Sequence, residues 1–380
     1  MKNILITGGA GFIGSNLSLR LVEKGYYVTV LDNLHPQIHG ENAEQNSALY
    51  QSIKDKVHFI KGDVVNKSDW YRALENQHII VHLAAETGTG QSMYEIERYT
   101  QVNVNGTAIL LDYLTNEKHQ IEKVVVASSR AVYGEGKYYS AKMNQYFYPK
   151  TRTNIDLENG VFELRNPIDT NELLQACATD ENSFIQPTSI YGLTKYHQEQ
   201  ALMITCASLN IPCVAFRYQN VYGPGQSLSN PYTGILSIFS TRIKQHKSIN
   251  IFEDGNESRD FVFIDDVINA TVLGIEFNSL NNVIFNVGTG KATSVLEVAQ
   301  QLIKNYGIEI PLEISGQYRK GDIRHNFADI TLIKDQLGFE PNVDFETGIT
   351  TFCNWVNEQA LTEDKYEFSL NEMKAKGLIK

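Results

Sequence analysis

Residues 2–32 run in an order that few folds accommodate: an apolar strand, a cluster of glycines, a helix, a second strand and an acid. Residues 2–7 are rich in Ile and Leu and are stopped by glycine, the mark of a buried strand. In the segment Gly8-Gly9-Ala10-Gly11-Phe12-Ile13-Gly14, Gly9, Gly11 and Gly14 satisfy GxGxxG, and Gly8, Gly11 and Gly14 satisfy GxxGxxG. Gly8 and Gly9 permit a tight turn, Gly11 lets backbone approach a pyrophosphate, and Gly14 lets the helix pack against the strand. Residues 15–24 read as a helix. Its N-terminus, with Phe12 and Ile13, offers N–H groups and a positive dipole end to phosphates. The strand at 27–31 ends at Asp32, followed by Asn33. A carboxylate there accepts both ribose hydroxyls and repels a 2′-phosphate, which favours NAD over NADP.

Further strands are expected at 57–61, 79–83, 123–128 and 213–217, with helices at 68–75 and 104–115 between them. Alternation of this kind predicts an α/β fold: a Rossmann-type, doubly wound parallel sheet with a smaller C-terminal α/β domain. Residues 1–217 are expected to form the dinucleotide-binding domain, and 218–380 mainly the second domain. Residues 260–285 are expected to return to the first as a strand end and helix. Residues 135–187 are polar, carry four tyrosines (Tyr138, Tyr139, Tyr146 and Tyr148), and read as an irregular insert.

Net charge −11 argues against a general nucleic-acid binder. The 42% hydrophobic and 20% charged content is that of a globular protein rather than a disordered one. Cys177, Cys206, Cys213 and Cys353 form no CxxC pair, so reduced thiols, a cytoplasmic location and no metal are expected. The N-terminus does not read as a signal peptide, and no stretch approaches the ~18 apolar residues of a membrane span. His35 and His39 have ligand-like spacing but are read as a polar loop. Asp265 and Asp266 look like paired catalytic acids.

Tyr191 and Lys195 stand four apart at the start of a helical run and so share a face. The ammonium is expected to lower the pKa of the phenol and fit it as a general base. The pair alone is weak; the upstream fingerprint gives it weight.

The chain resembles the extended short-chain dehydrogenase/reductase family, and within it the nucleotide-sugar epimerases and dehydratases. The carrying motifs are TGGAGFIGSNL at the start, GDV at 62–64, HLAAE at 82–86, VNVNGT at 102–107, SSRAVYG at 128–134 and YGLTK at 191–195. RYQNVYGPGQ at 217–226, SRDFVFIDDV at 258–267, FNVGTG at 285–290 and RKGDIRH at 319–325 complete them in the family's order. The resemblance implies NAD as cofactor and Ser129, Tyr191 and Lys195 as catalytic residues. It further implies cofactor contacts from Asp63, Val64, Leu83, Ala84, Ala85 and Asn103. A nucleotide-diphosphate sugar, dTDP- or UDP-linked, would be held by Thr87, Arg130, Asn220, Arg259, Arg319 and Asp322, with Thr89 a further candidate. A homodimer is implied as well, and for Asp265 and Asp266 a helix-capping role.

In family members that eliminate water, the two residues after the catalytic Ser or Thr are typically Asp and Glu. Here they are Arg130 and Ala131. The resemblance therefore implies 4-epimerisation, and AAETGTGQSMYE with SSRAVYGEG is most similar to the branch acting on dTDP-L-rhamnose. Alternatives are a UDP-glucose or UDP-glucuronate 4-epimerase, an NAD(P)-dependent 4-keto-sugar reductase, or a non-enzymatic NAD-sensing protein. The insert between Gly134 and Tyr191 is longer than the family's usual loop; a lid, a subunit contact and a solvated ornament all fit it.

Overall fold

The computed structural model describes residues 2–232, 234–278, 282–360 and 364–380. Seven strands form the central sheet: β1 (Asn3–Thr7), β2 (Tyr27–Asp32), β3 (His58–Lys61), β4 (Ile79–His82), β5 (Lys123–Ser129), β6 (Cys213–Tyr218) and β7 (Val283–Val287). Their spatial order is 7-6-5-4-1-2-3 and every pairing is parallel. Strands buried on both faces read as unbroken apolar runs, as in Val124-Val125-Val126. Alternate residues then serve two cores. Ile4, Ile6, Val30 and Val125 face one layer; Leu5, Leu31, Val124 and Val126 face the other. The chain reverses direction across the sheet between β1 and β4, which opens a crevice at the carboxyl ends of the strands.

Four helices frame that crevice: α1 (Phe12–Glu23), α2 (Gly106–Asn116), α3 (Ile190–Leu209) and α4 (Ile264–Glu276). α3 packs on β5 and α2, while α1 packs on α4. α2 is preceded by a π-helical stretch, Thr100–Asn105, so the helix expected from residue 104 begins in widened form.

Three expectations need correction. Of residues 260–285, Phe261–Phe263 is a strand outside the central sheet, paired with Asn220–Tyr222. The cause is a bend after β6: the amide of Gln219 still bonds Val287, but that of Asn220 turns to Asp260. Of this segment, only α4 and β7 return to the central sheet. Asp266 does not cap its own helix; its carboxylate accepts the amides of Asn342 and Val343 and pins the loop before α5 (Phe345–Asn357). Nor is the insert irregular. Tyr138–Ser140 pairs antiparallel with Gln145–Phe147 and Gln175–Ala176 around a core of Tyr138, Leu164 and Leu174. Arg152 and Glu163 then tie the insert to Glu253 and Arg324 in the C-terminal half. Among the described residues no helix is long and apolar enough to cross a membrane, and no acidic, His and Cys groups cluster as a metal site.

Candidate active site

A cavity of about 890 Å³ fills the crevice, lined by Gly8, Gly11, Phe12, Ile13 and Gly14 from the first turn. Gly8 adopts φ +68, and a Cβ there would press on the Ala84 backbone at 2.9 Å. A Cβ on Gly14 would overlap the Gly8 carbonyl, so the turn and helix start admit glycine alone at these two places. α1 has no side-chain cap, and its first turn of N–H groups borders the cavity. Asp32 closes β2, buried, accepting the amides of Ala10 at 3.0 Å and Leu34 at 2.8 Å. Burial pushes its carboxyl up; the donated amides and the nearby His39 pull it back.

His39 corrects the polar-loop expectation. It ends a short helix, Pro36–His39, and is buried, with Nδ1 2.8 Å from Ser47 Oγ and Nε2 3.7 Å from Asp32. Burial lowers its pKa. Asn33 donates to Asp63 at 2.9 Å, and both line the cavity with Val64, Leu83, Ala84 and Ala85. Asn103 does not line it. Its buried amide exchanges hydrogen bonds with the Glu86 backbone and donates to Thr194, so it holds the loop after β4 from behind. An open row of amides, a buried acid and an apolar flank together fit a dinucleotide.

β5 delivers Ser129 to the floor of the cavity that Tyr191 also lines, with its hydroxyl placed to lower the phenol's pKa. α3 starts one residue earlier, at Ile190, capped by Ser189. The helix is anchored underneath: Glu199 accepts both Nε and Nη2 of Arg217 at 2.9 and 2.7 Å, and the Ser128 hydroxyl at 2.6 Å. Lys195 is buried, donating to Gln198 at 2.6 Å; Gln198 in turn donates to Thr107 at 3.0 Å and faces His82 Nε2 at 3.1 Å. Burial lowers Lys195 to about 7 against the pull of Glu199, and burial with the Lys195 charge lowers His82 to about 3. The expected acidification of Tyr191 by Lys195 is not the arrangement found. Burial raises the phenol, and the groups that lower it are the Ser129 hydroxyl and the Arg130 charge. The ammonium is instead drawn one turn along α3 to Gln198.

Thr87, Thr89, Arg130 and Asn220 continue the lining beyond Tyr191. Arg130 Nε donates to Asn220 at 3.0 Å, and burial, then Arg259, lowers its guanidinium to about 9. Both residues also border an adjoining cavity of about 240 Å³ that holds Arg259, Arg319 and Asp322. Arg259 pairs with Asp322 at 2.9 Å and donates to three backbone carbonyls. Arg319 lies over the Phe252 ring, and its buried Nε has no partner. Three guanidiniums and Lys320 against the carboxyl groups of Asp322 and Glu257, with the Arg319 Nε unpaired, suit a diphosphate.

A dinucleotide cradle that opens on a serine–tyrosine pair is the equipment of short-chain dehydrogenase chemistry. The chain belongs to the NAD-dependent epimerase/dehydratase family of that group; NAD is its cofactor, and it is a nucleotide-sugar epimerase by class. The family model "NAD dependent epimerase/dehydratase family" matches residues 169–288, and that of "GDP-mannose 4,6 dehydratase" matches residues 5–152. A dTDP-L-rhamnose 4-epimerase of Burkholderia thailandensis is 40% identical over 94% of this chain and 96% of its own. A putative UDP-glucose 4-epimerase of Methanocaldococcus jannaschii is 31% identical over 94% and 100%. Among solved structures, the UDP-glucose 4-epimerase of Thermotoga maritima superposes with TM-score 0.74 at 28% identity, covering 94% of this chain and 99% of the other. The UDP-glucuronic acid 4-epimerase of Bacillus cereus, bound to UDP-glucuronic acid and NAD, gives 0.75 at 26% identity with coverage 94% and 99%.

Proposed function

We propose that the chain is a 4-epimerase of dTDP-L-rhamnose, interconverting it with dTDP-6-deoxy-L-talose. The observation that carries this reading is the pair after Ser129. Arg130 and Ala131 offer no carboxylate to a 6-hydroxyl, and Arg130 is committed to Asn220. The 40% identical relative supports the same sugar. Bound NAD would supply reversible hydride exchange at C4 of the sugar, to either face of the ketone, with no net consumption. In this reading Tyr191 Oη takes and returns the proton of the 4-hydroxyl, and Ser129 orients that hydroxyl. Arg130, Arg259 and Arg319 neutralise the diphosphate, with Asn220 alongside. Asp32 and Asn33 take the adenosine ribose, and Asp63 with Val64 flanks the adenine. Residues 1–217 form the NAD-binding unit and most of 218–380 the nucleotide-sugar unit.

A UDP-sugar is the second reading, favoured by the UDP-linked ligands of similar solved structures. The reductase reading is disfavoured by Asp32, whose carboxylate opposes a 2′-phosphate. A cytoplasmic homodimer completes the proposal, with exposed Leu193 and Ile204 on α3 as candidates for a subunit contact. The test is incubation with dTDP-L-rhamnose, UDP-glucose or UDP-glucuronate without added cofactor, followed by NMR. The talose isomer is expected from the first alone. Tyr191→Phe is expected to retain NAD and to lose about a thousandfold in turnover. Near-normal turnover in that variant contradicts the role given to the phenol.

A further inference from the structure

The described chain ends in a helix, α6 (Tyr366–Ala375), and a short tail, and both reach the adjoining cavity. Tyr366, Met373 and Leu378 give it apolar lining together with Phe252, Ile238 and Phe239, and Arg130 and Arg259 line the same cavity. The tail runs antiparallel to residues 318–320. Tyr318 and Lys380 exchange amide bonds at 3.0 and 3.1 Å, and Lys320 donates to Leu378 at 2.9 Å. Arg319, with its unpaired Nε, sits in the middle of that pairing.

α6 is also tied to both sides of the crevice. Glu372 Oε2 accepts the hydroxyls of Tyr94 and of Tyr232, each at 2.7 Å. Tyr94 belongs to the loop after β4 that presents Gln91 and Met93 to the cavity. That loop also carries Ser92, whose hydroxyl accepts the backbone amide of Tyr191 at 3.0 Å. Tyr232 stands on the other side and lines both cavities.

We infer that residues 366–380 are the wall that selects the nucleoside end of the substrate, and that Tyr94, Glu372 and Tyr232 form a clasp that holds this wall in register with Tyr191. The inference rests on the nucleotide-sugar reading above. Arginines at the inner end take the diphosphate, and the apolar wall takes the base that the diphosphate carries. Tyr94 and Glu372 line neither cavity, so they are positioning residues that act through α6.

The test uses the full chain and measures binding of dTDP, UDP and NAD separately, with KM and kcat for the sugar nucleotide. In Glu372→Ala, which keeps a good helix former but removes a shared acceptor, the nucleoside diphosphate Kd is expected to rise about tenfold. Tyr94→Phe is expected to raise it about threefold. KM should follow, while kcat and NAD affinity stay near wild type. A variant ending at Lys365 should lose nucleotide binding and keep NAD; should it fail to fold, the two point variants decide. Unchanged nucleotide affinity in Glu372→Ala, or an equal loss of NAD, overturns the inference. A wild-type chain that binds neither dTDP nor UDP overturns the nucleotide-sugar reading itself.

Discussion

Arg130 stands at the meeting point of the two cavities and sets the charge around Tyr191. Removing it takes away a positive charge that favours phenolate, so the phenol pKa rises. In Arg130→Met the acidic limb of the kcat/KM profile is expected to move to higher pH by about one unit. A limb that stays in place means the charge seen by Tyr191 comes from elsewhere. Asp32 gives a second prediction at this scale. Asp32→Asn should weaken NAD about tenfold by calorimetric titration, since an amide cannot accept from both ribose hydroxyls while serving Ala10 and Leu34; an unchanged Kd removes the ribose role. Asp32 could be singled out because its surroundings are local: strand, turn, helix and acid fall within 32 residues, whereas Arg130 entered only through the family resemblance. Ser129 lies far from Tyr191 in sequence and was legible only through the family resemblance. His39 was not legible, because its partners Ser47 and Asp32 meet it only after folding.

At the scale of elements, α3 depends on what lies beneath it. Glu199 on α3 and Arg217 on β6 are buried together, and removing one partner strands the other charge. Glu199→Ala is expected to destabilise the chain by about 3–5 kcal/mol in urea unfolding. A loss under 1 kcal/mol would mean that the anchor is not this pair. Six of the seven sheet strands were readable from their apolar runs, with ends shifted by a residue or so; β7 was not read as a strand. The insert was not, because three-residue strands such as Tyr138–Ser140 are too short for alternation to register. α6 was missed for a different reason. Its defining contact joins Tyr94 to Glu372 across 278 positions, and no local pattern marks either residue.

At the scale of the whole molecule, carboxylates in the joint between insert and C-terminal half, Glu135 and Glu257 buried and Glu163 and Asp254 half-buried, oppose one another in pH. His325, and after it Arg324, hold Glu163 at about 2 despite burial; Arg324 does the same for Asp254. Both favour the folded state fully above their unfolded values near roughly pH 4, and that contribution is lost as pH falls towards 2. Glu135 and Glu257 are raised by burial to about 7. Their contribution is present below roughly pH 4 and is lost as pH rises through 7. The thermal midpoint is therefore expected to rise from pH 2 to about 5 and decline from there to 7, with the decline flattened in Glu135→Gln. A steady rise to pH 7 contradicts this balance. The central claim, transient oxidation at C4 by a cofactor that never leaves, is tested most directly with dTDP-L-rhamnose carrying deuterium at C4. Incubated without added NAD, the 6-deoxy-talose product is expected to retain the deuterium at C4. Loss of that label to solvent would contradict the account.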